Sequence, residues 1–231
     1  MTRFDVDAIA FDLDGTLVDT IGDLAHALNR TLAEDGFEAL AIDAVRDLVG
    51  KGVGNLVRRA YAMARGEPPA DDELERIVAR YFANYAATLG ERSAPYPGVV
   101  EGLGRLRAAG FPLAVVTNKA SRFVQPHLDR TAFAGWFDAI VGGDDAGAKK
   151  PDAAPLELAA ARLGVDVRRV LMVGDSGNDV ACARAAGAPV VVVPYGYREG
   201  RAVQDLAADA IVDSLDDLPE RVAVRRTPDS R

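Results

Sequence analysis

Short apolar runs recur along the chain, at Val6–Phe11, Pro112–Val116, Ala139–Val141, Val170–Val173, Val190–Val193 and Ala210–Val212. Each is rich in valine or isoleucine, and most are bounded by glycine, aspartate or proline. Runs that are apolar throughout, rather than at every second position, suit strands covered on both faces, as in a parallel sheet. Helical patterns lie between them. Residues 98–109 place Val99, Val100, Leu103 and Leu106 on one face, and 152–163 and 177–186 are rich in alanine. This alternation predicts an α/β fold, a doubly wound, Rossmann-like parallel sheet with helices on both faces.

The alternation breaks once. From about residue 18 to residue 92 no run reads convincingly as a strand. Ile21, Leu24, Leu28 and Leu32 share one helical face, and Leu74, Ile77, Val78, Tyr81, Phe82, Tyr85 and Leu89 share another. The chain returns through Ser93–Gly98, SAPYPG, where two prolines and a glycine stop helix. The expected organisation is an α/β core from 1–17 and 93–221, with 18–92 inserted as a small α-helical cap domain. The polar tail, 222–231, is expected to fray.

Composition then excludes several classes. The 231 residues are 49% hydrophobic and 27% charged, which is globular composition with enough apolar mass for a core. A net charge of −8 argues against nucleic acid as a partner. No apolar run is long enough to span a membrane. With Cys182 alone there is no internal disulfide, and one cysteine with two histidines, His26 and His127, is too few for a zinc cluster. The opening MTRFDVDAIAFDLDG lacks the apolar stretch of a secretion signal, so the expectation is a cytoplasmic monomer or homodimer.

In an open parallel sheet, ligands bind beyond the carboxyl ends of the strands. The first run ends in Asp12-Leu13-Asp14-Gly15-Thr16, the run at 112–116 in Thr117-Asn118, and the run at 170–173 in Gly174-Asp175-Ser176-Gly177-Asn178-Asp179. Lys149-Lys150-Pro151 precedes the helix at 152. Acids, a hydroxyl and an ammonium are thus delivered to one rim, and those types fit phosphoryl transfer. Asp12 can attack phosphorus and form an acyl-phosphate. Asp12, Asp175 and the main-chain carbonyl of Asp14 suit an oxygen-ligated Mg²⁺. Lys150 supplies fixed positive charge, and Thr117, with Asn118 beside it, suits the phosphate oxygens. Asp14, on the exiting turn, is placed to protonate a leaving oxygen and then to activate water.

These segments resemble a known family. FDLDGTLVDT at 11–20, VVTNK at 115–119, KKPD at 149–152 and VGDSGND at 173–179 resemble, in order, the four motifs of the haloacid-dehalogenase-like hydrolases. The resemblance covers nearly the whole chain, and the helical insertion is similar to the family's small helical cap. It implies Asp12 as nucleophile, Asp14 as acid/base, Thr117 as phosphate binder and Lys150 as the motif lysine. It also implies Asp175 as a metal ligand, and Asp179 as either a ligand or an acid behind the ligands. The third motif often has a second proline where Ala153 stands here. LVGKGVGNLVRRA at 48–60 and VPYGYREG at 193–200 are similar to bacterial members that act on phosphoglycolate.

The substrate implied is a small phosphorylated metabolite, 2-phosphoglycolate first. A sugar phosphomutase, or a phosphatase of another small phosphometabolite, would share Asp12 and Asp14. A non-catalytic phosphometabolite-binding protein would normally lack one of the key groups, and all are present. Gly50-Lys51-Gly52-Val53-Gly54 is no nucleotide loop, because no Ser or Thr follows Lys51. Residues 46–65 are locally basic, and Lys51 and Arg58 are the candidates there for reading the substrate. Arg65 reads as part of a solvated face, and Cys182 as a small buried residue.

Overall fold

The computed structural model describes residues 2–50, 52–197 and 201–224. In chain order come β1 (Phe4–Val6), β2 (Ala8–Phe11) and β3 (Val18–Asp19), then the helices α1 (Ile21–Glu34), α2 (Ile42–Arg46), α3 (Val53–Arg65) and α4 (Asp71–Ala87). The chain returns through β4 (Ala94–Pro95), α5 (Val99–Ala108), β5 (Leu113–Val116), α6 (Ser121–Arg130), β6 (Ala139–Val141) and α7 (Ala154–Leu163). It closes with β7 (Val170–Gly174), α8 (Gly177–Ala186), β8 (Val190–Val192), β9 (Ala210–Ile211) and β10 (Val222–Val224). Among the described residues no helix is long and apolar enough to cross a membrane.

Six strands form one parallel sheet in the order β6-β5-β2-β7-β8-β9. Its two faces are packed differently. Ile9, Phe11, Leu113, Val115, Leu171 and Val173 point into one buried cluster, with Val99, Leu103 and Leu106 of α5. Ala8, Ala10, Ala114, Val116, Val170 and Met172 point into the other, against Ala159 and Ala160 of α7 and Ala183 of α8. The period-two alternation sends one set of residues to each side, and the side that carries the alanines Ala8, Ala10 and Ala114 is where the alanine-rich helices pack. Cys182 is fully buried in that second cluster.

The ends of the chain depart from the sequence expectation. Val6–Phe11 is not one strand. β1 leaves the main sheet and pairs in parallel with β10, Phe4 opposite Val222. Residues 222–224, expected to fray, are therefore a strand, because β1 offers them a free edge, and Val222 is buried. Residues 225–231 lie outside the described residues.

Among its described residues the 18–92 stretch holds the four helices α1 to α4 and one strand, β3, whose two residues pair antiparallel with β4, Val18 opposite Pro95 and Asp19 opposite Ala94. Both connections between sheet and helices thus run side by side. Asp23 of α1 fixes them: fully buried, it accepts from the N–H of Gly90 at 2.8 Å and of Arg92 at 2.9 Å, and from the Ser93 hydroxyl. The helices share a third cluster, in which Leu24, Leu28, Leu56, Tyr61, Ile77, Tyr81 and Tyr85 meet Phe123 and Tyr197 from beyond the insertion.

Candidate active site

The chain winds away from β2 and β7 in opposite senses, to β5 and β6 on one side and to β8 and β9 on the other, so a crevice opens beyond their carboxyl ends. Asp12 is the first residue past β2, and Asp175 the first past β7. Asp12 Oδ1 accepts from the Leu13 N–H at 2.7 Å and lies 2.9 Å from Lys150 Nζ. Lys150 Nζ also donates to Asp179 Oδ1 at 2.6 Å and to the Val116 carbonyl at 2.8 Å, so all three of its N–H bonds have protein acceptors. Asn118 clamps the lysine's main chain: Nδ2 donates to Lys150 O and Oδ1 accepts from Lys150 N, each at 2.9 Å.

Asp179 closes the turn after β7. Its Oδ2 accepts from the N–H groups of Asp175 (3.2 Å) and Ser176 (3.0 Å) and from the Ser176 hydroxyl (2.7 Å), in a capping box that starts α8. Asp175 accepts from the Thr16 hydroxyl at 2.9 Å and from the Tyr197 N–H at 2.5 Å. Gly15, with φ 90°, makes room for it: a Cβ there would lie 2.6 Å from Asp175 Oδ2.

Burial raises the Asp12 carboxyl to about 6, against the pull of Lys150 and with repulsion from Asp179. Burial, then repulsion from Asp179 and Asp12, pushes Asp175 well above the usual carboxylate range. Lys150 is held firmly protonated: burial opposes its charge, but Asp12 and Asp179 outweigh burial. Ligand oxygens of Asp12, Asp175 and Asp179 lie within 4.8 Å of one another. Counting Asp14 and Lys119 as well, four carboxylates meet two ammoniums, a formal excess of two negative charges (4 − 2). A buried, all-oxygen cluster with that excess fits a hard divalent cation.

Asp14 sits across from these groups, half-buried, with Lys119 Nζ donating to both its oxygens at 2.9 and 3.2 Å. Burial raises the Asp14 carboxyl, but the Lys119 ammonium, together with His127 and the Thr20 side chain, outweighs it and the net direction is down. Lys119 Nζ also donates to Tyr85 OH at 2.5 Å and lies 4.8 Å from the centre of that ring, so a helix of the insertion meets the rim here. A cavity of about 90 Å³ lies between them. Asp12, Asp14, Thr117, Asn118, Lys150 and Asp175 line it from the rim, and Leu24, Gly50, Gly52, Leu56, Tyr81 and Phe82 from the helices.

A family model described as haloacid dehalogenase-like hydrolase matches residues 9–193, a span that holds the whole rim. The chain belongs to that family. Among its relatives, a phosphoglycolate phosphatase of Nitrosospira multiformis is 46% identical over 210 residues, 91% of this chain and 92% of that protein. The crystal structure of a predicted phosphoglycolate phosphatase from Haemophilus somnus superposes with a TM-score of 0.87 at 34% identity, covering 95% of this chain and 98% of the other. CbbY from Rhodobacter sphaeroides, solved in complex with xylulose-(1,5)bisphosphate, superposes with a TM-score of 0.76 at 27% identity, covering 92% and 96%.

Within this haloacid dehalogenase-like fold the structure brings Asp12, Asp14, Thr117, Asn118, Lys150 and Asp175 to one cavity, with Asp179 directly behind Lys150. Asn118 reaches it mainly as a clamp on Lys150, since its carbonyl oxygen and one amide N–H are committed there. Arg58 is not brought to the cavity. It pairs with Asp71 at 2.7 Å on the outer side of the helices, because α3 turns that face away from the rim. Lys51 lies outside the described residues. Arg65 pairs with Glu73.

Lys119, Tyr85, Thr16 and Tyr197 were not singled out from the sequence. Lys119 carried a signal, since it stands in VVTNK two residues past Thr117, whose hydroxyl accepts its N–H at 3.2 Å. Tyr85 carried none beyond its place on an apolar helical face. His127 is fully buried, with neither ring nitrogen hydrogen-bonded and Nε2 3.9 Å from Asp23 Oδ2.

Proposed function

We propose that this chain is a Mg²⁺-dependent phosphatase of the cytoplasm that hydrolyses 2-phosphoglycolate to glycolate and phosphate through an aspartyl-phosphate on Asp12. The observation that carries the reading is the Asp12 carboxylate at the cavity floor, 2.9 Å from an ammonium that Asp179 and Val116 hold in place. An anionic phosphoryl group would otherwise be repelled from a carboxylate nucleophile. The phosphoglycolate phosphatase names of relatives 38–46% identical to it support the substrate.

In the first half-reaction an Asp12 oxygen forms a bond to phosphorus as the ester P–O bond breaks. Asp14, which the Lys119 pair favours in the ionised form, takes up a proton as substrate binds and delivers it to the departing glycolate oxygen. In the second, Asp14 takes a proton from water, whose oxygen attacks the same phosphorus. The Asp12–phosphoryl bond then breaks, and phosphate leaves. Thr117 donates to a phosphoryl oxygen, and Lys150 offsets charge beside the nucleophile throughout. Asp12, Asp175 and the Asp14 carbonyl would hold Mg²⁺, with Asp179 completing the acidic cluster. Bound there, Mg²⁺ supplies positive charge for the phosphoryl oxygens.

The test is phosphate release from a panel of esters with Mg²⁺ present. Phosphoglycolate should exceed p-nitrophenyl phosphate and sugar phosphates in kcat/KM by at least about tenfold, the step that 1.4 kcal/mol of selective binding gives. EDTA should abolish turnover, and Mg²⁺ should restore it. A parent enzyme that prefers a bulky sugar phosphate would sink the substrate assignment. One that turns over fully after exhaustive chelation would sink the metal.

A further inference from the structure

Phosphoglycolate carries a carboxylate that the groups assigned above leave without a partner. Resting on the phosphoglycolate reading, we infer that Lys119, steadied by Tyr85, is the residue that recognises it.

Among the described residues, Lys119 and Lys150 are the cationic side chains that line the cavity, and Lys149 comes near Gly52 without lining it. Lys150 is saturated by Asp12, Asp179 and the Val116 carbonyl. Arg58, Arg65 and Arg80 are spent on Asp71, Glu73 and Asp35 on the outer side of the helices. Arg46 lies over the Tyr197 ring, 5.7 Å from its centre, and does not line the cavity. Lys119 does line it, with its side chain only 5% exposed.

The geometry of the reaction then fixes where the carboxylate falls. Asp14 must sit at the ester oxygen to protonate it. In phosphoglycolate a single CH₂ separates that oxygen from the carboxylate carbon. Lys119 Nζ is 2.9 Å from Asp14 Oδ1, so a substrate whose ester oxygen meets Asp14 presents its carboxylate beside Lys119. When substrate enters, its carboxylate takes over the N–H bonds that Asp14 now accepts, and the oxygens of Asp14 are freed for the leaving group. Thr117, two residues earlier on the same turn, faces the phosphoryl end. One turn of the rim thereby spans both ends of a short anion. Tyr85 belongs to α4, so its grip on Lys119 exists only with the helices closed over the rim. Recognition of the carboxylate and closure are therefore linked.

The experiment compares kcat/KM for phosphoglycolate with that for ethyl phosphate, which is similar in shape but lacks the carboxylate. The ratio of the two is insensitive to how much of a preparation is folded, because both esters meet the same active molecules. In Lys119→Met the ratio should fall about ten- to hundredfold, the loss expected for one charge-assisted hydrogen bond in a closed site, mainly through KM for phosphoglycolate. Lys119→Arg should recover part of it. Tyr85→Phe should lower the ratio by a few-fold, and it carries the test alone if Lys119→Met is inactive on both esters. A ratio unchanged in the variants, whether both activities fall or neither does, overturns the carboxylate role and leaves Lys119 as a partner of Asp14 only. A parent enzyme with no preference for phosphoglycolate over ethyl phosphate instead overturns the substrate assignment beneath it.

Discussion

At the rim of the sheet, four carboxylates and two ammoniums are gathered into one largely buried cluster. Across the cavity the inserted helices do the reverse. They turn Leu24, Leu56, Tyr81 and Phe82 inward and leave Arg58, Arg65, Arg76 and Arg80 in ion pairs on the other side. Buried charge is tolerable where strands and hydrogen bonds fix every partner, as they do around Lys150. A lid that opens and closes would have to rehydrate and dehydrate such charges at every cycle. It is better built from apolar and aromatic surface that excludes water and strengthens the rim's electrostatics. The charged groups belong to the sheet's rim and the apolar cover to the inserted helices, and Lys119 and Tyr85 meet where the two join.

The strongest test of that division removes charge from the rim. Asp12→Asn keeps the shape but not the nucleophile, and turnover should fall on the order of 10⁴-fold or more. Phosphate release from a verified, folded preparation measures it, and substantial activity would break the mechanism. Asp14→Asn should cost on the order of 10²–10⁴ in kcat, the usual reach of a general acid–base. Its main-chain carbonyl is untouched, so Mn²⁺ binding followed by electron paramagnetic resonance should survive better than activity. Equal losses of binding and turnover would assign the side chain to the metal instead.

A smaller effect sits where the two halves are joined. Burial, helped by the Lys119 charge and opposed by Asp14 and Asp23, pulls the His127 imidazole down from 6.5 to about 4. Below about pH 6.5 the unfolded chain takes up a proton that the folded chain refuses. The stability tied to neutral His127 is therefore complete above that pH and is lost as pH falls towards 4. By pH 5 the loss should be about 2 kcal/mol. Urea unfolding at pH 8 and pH 5 should show His127→Leu losing less than the parent by about that amount. The same pH dependence in both proteins would mean that the imidazole takes up its proton as readily in the fold as in the unfolded chain.

The smallest effect is expected on the outer side of the lid. Arg58→Ala removes half of an ion pair whose partner, Asp71, is 92% exposed. Stability should change by less than about 1 kcal/mol, and kcat/KM for phosphoglycolate by less than about twofold. A selective rise in KM would bring Arg58 to the substrate and blur the contrast between rim and lid.

The sheet and the helical insertion were legible because their patterns are long. Fully apolar runs marked β2, β5, β7 and β8, and the spacing of Ile21, Leu24, Leu28 and Leu32 marked α1. The polar residues after those runs were legible for the same reason, since strand ends converge on one rim. What stayed hidden is non-local or too short to carry a period. β3 and β4 have two residues each, and β10 is defined by its partner near the other end of the chain. The basic stretch 46–65 shows a charge density but not which way each charge faces. Arg58 is settled by Asp71, at the start of the next helix, and that pairing has no signature in the residues around Arg58. Lys119 stood inside a motif, yet its partners come from Asp14 and Tyr85, 105 and 34 residues away.

The pairing of Val18–Asp19 with Ala94–Pro95 also bears on how such a protein can change over generations. The core is interrupted at a single place, where the outgoing and returning chains are already neighbours. The entropic cost of closing an inserted loop rises by only about 0.6 kcal/mol for each doubling of its length. Insertions of quite different size can therefore be spliced between the same two anchor points at little expense to the sheet, provided they cover the rim. Helices joined at those two anchor points could be exchanged without remaking the sheet beneath them.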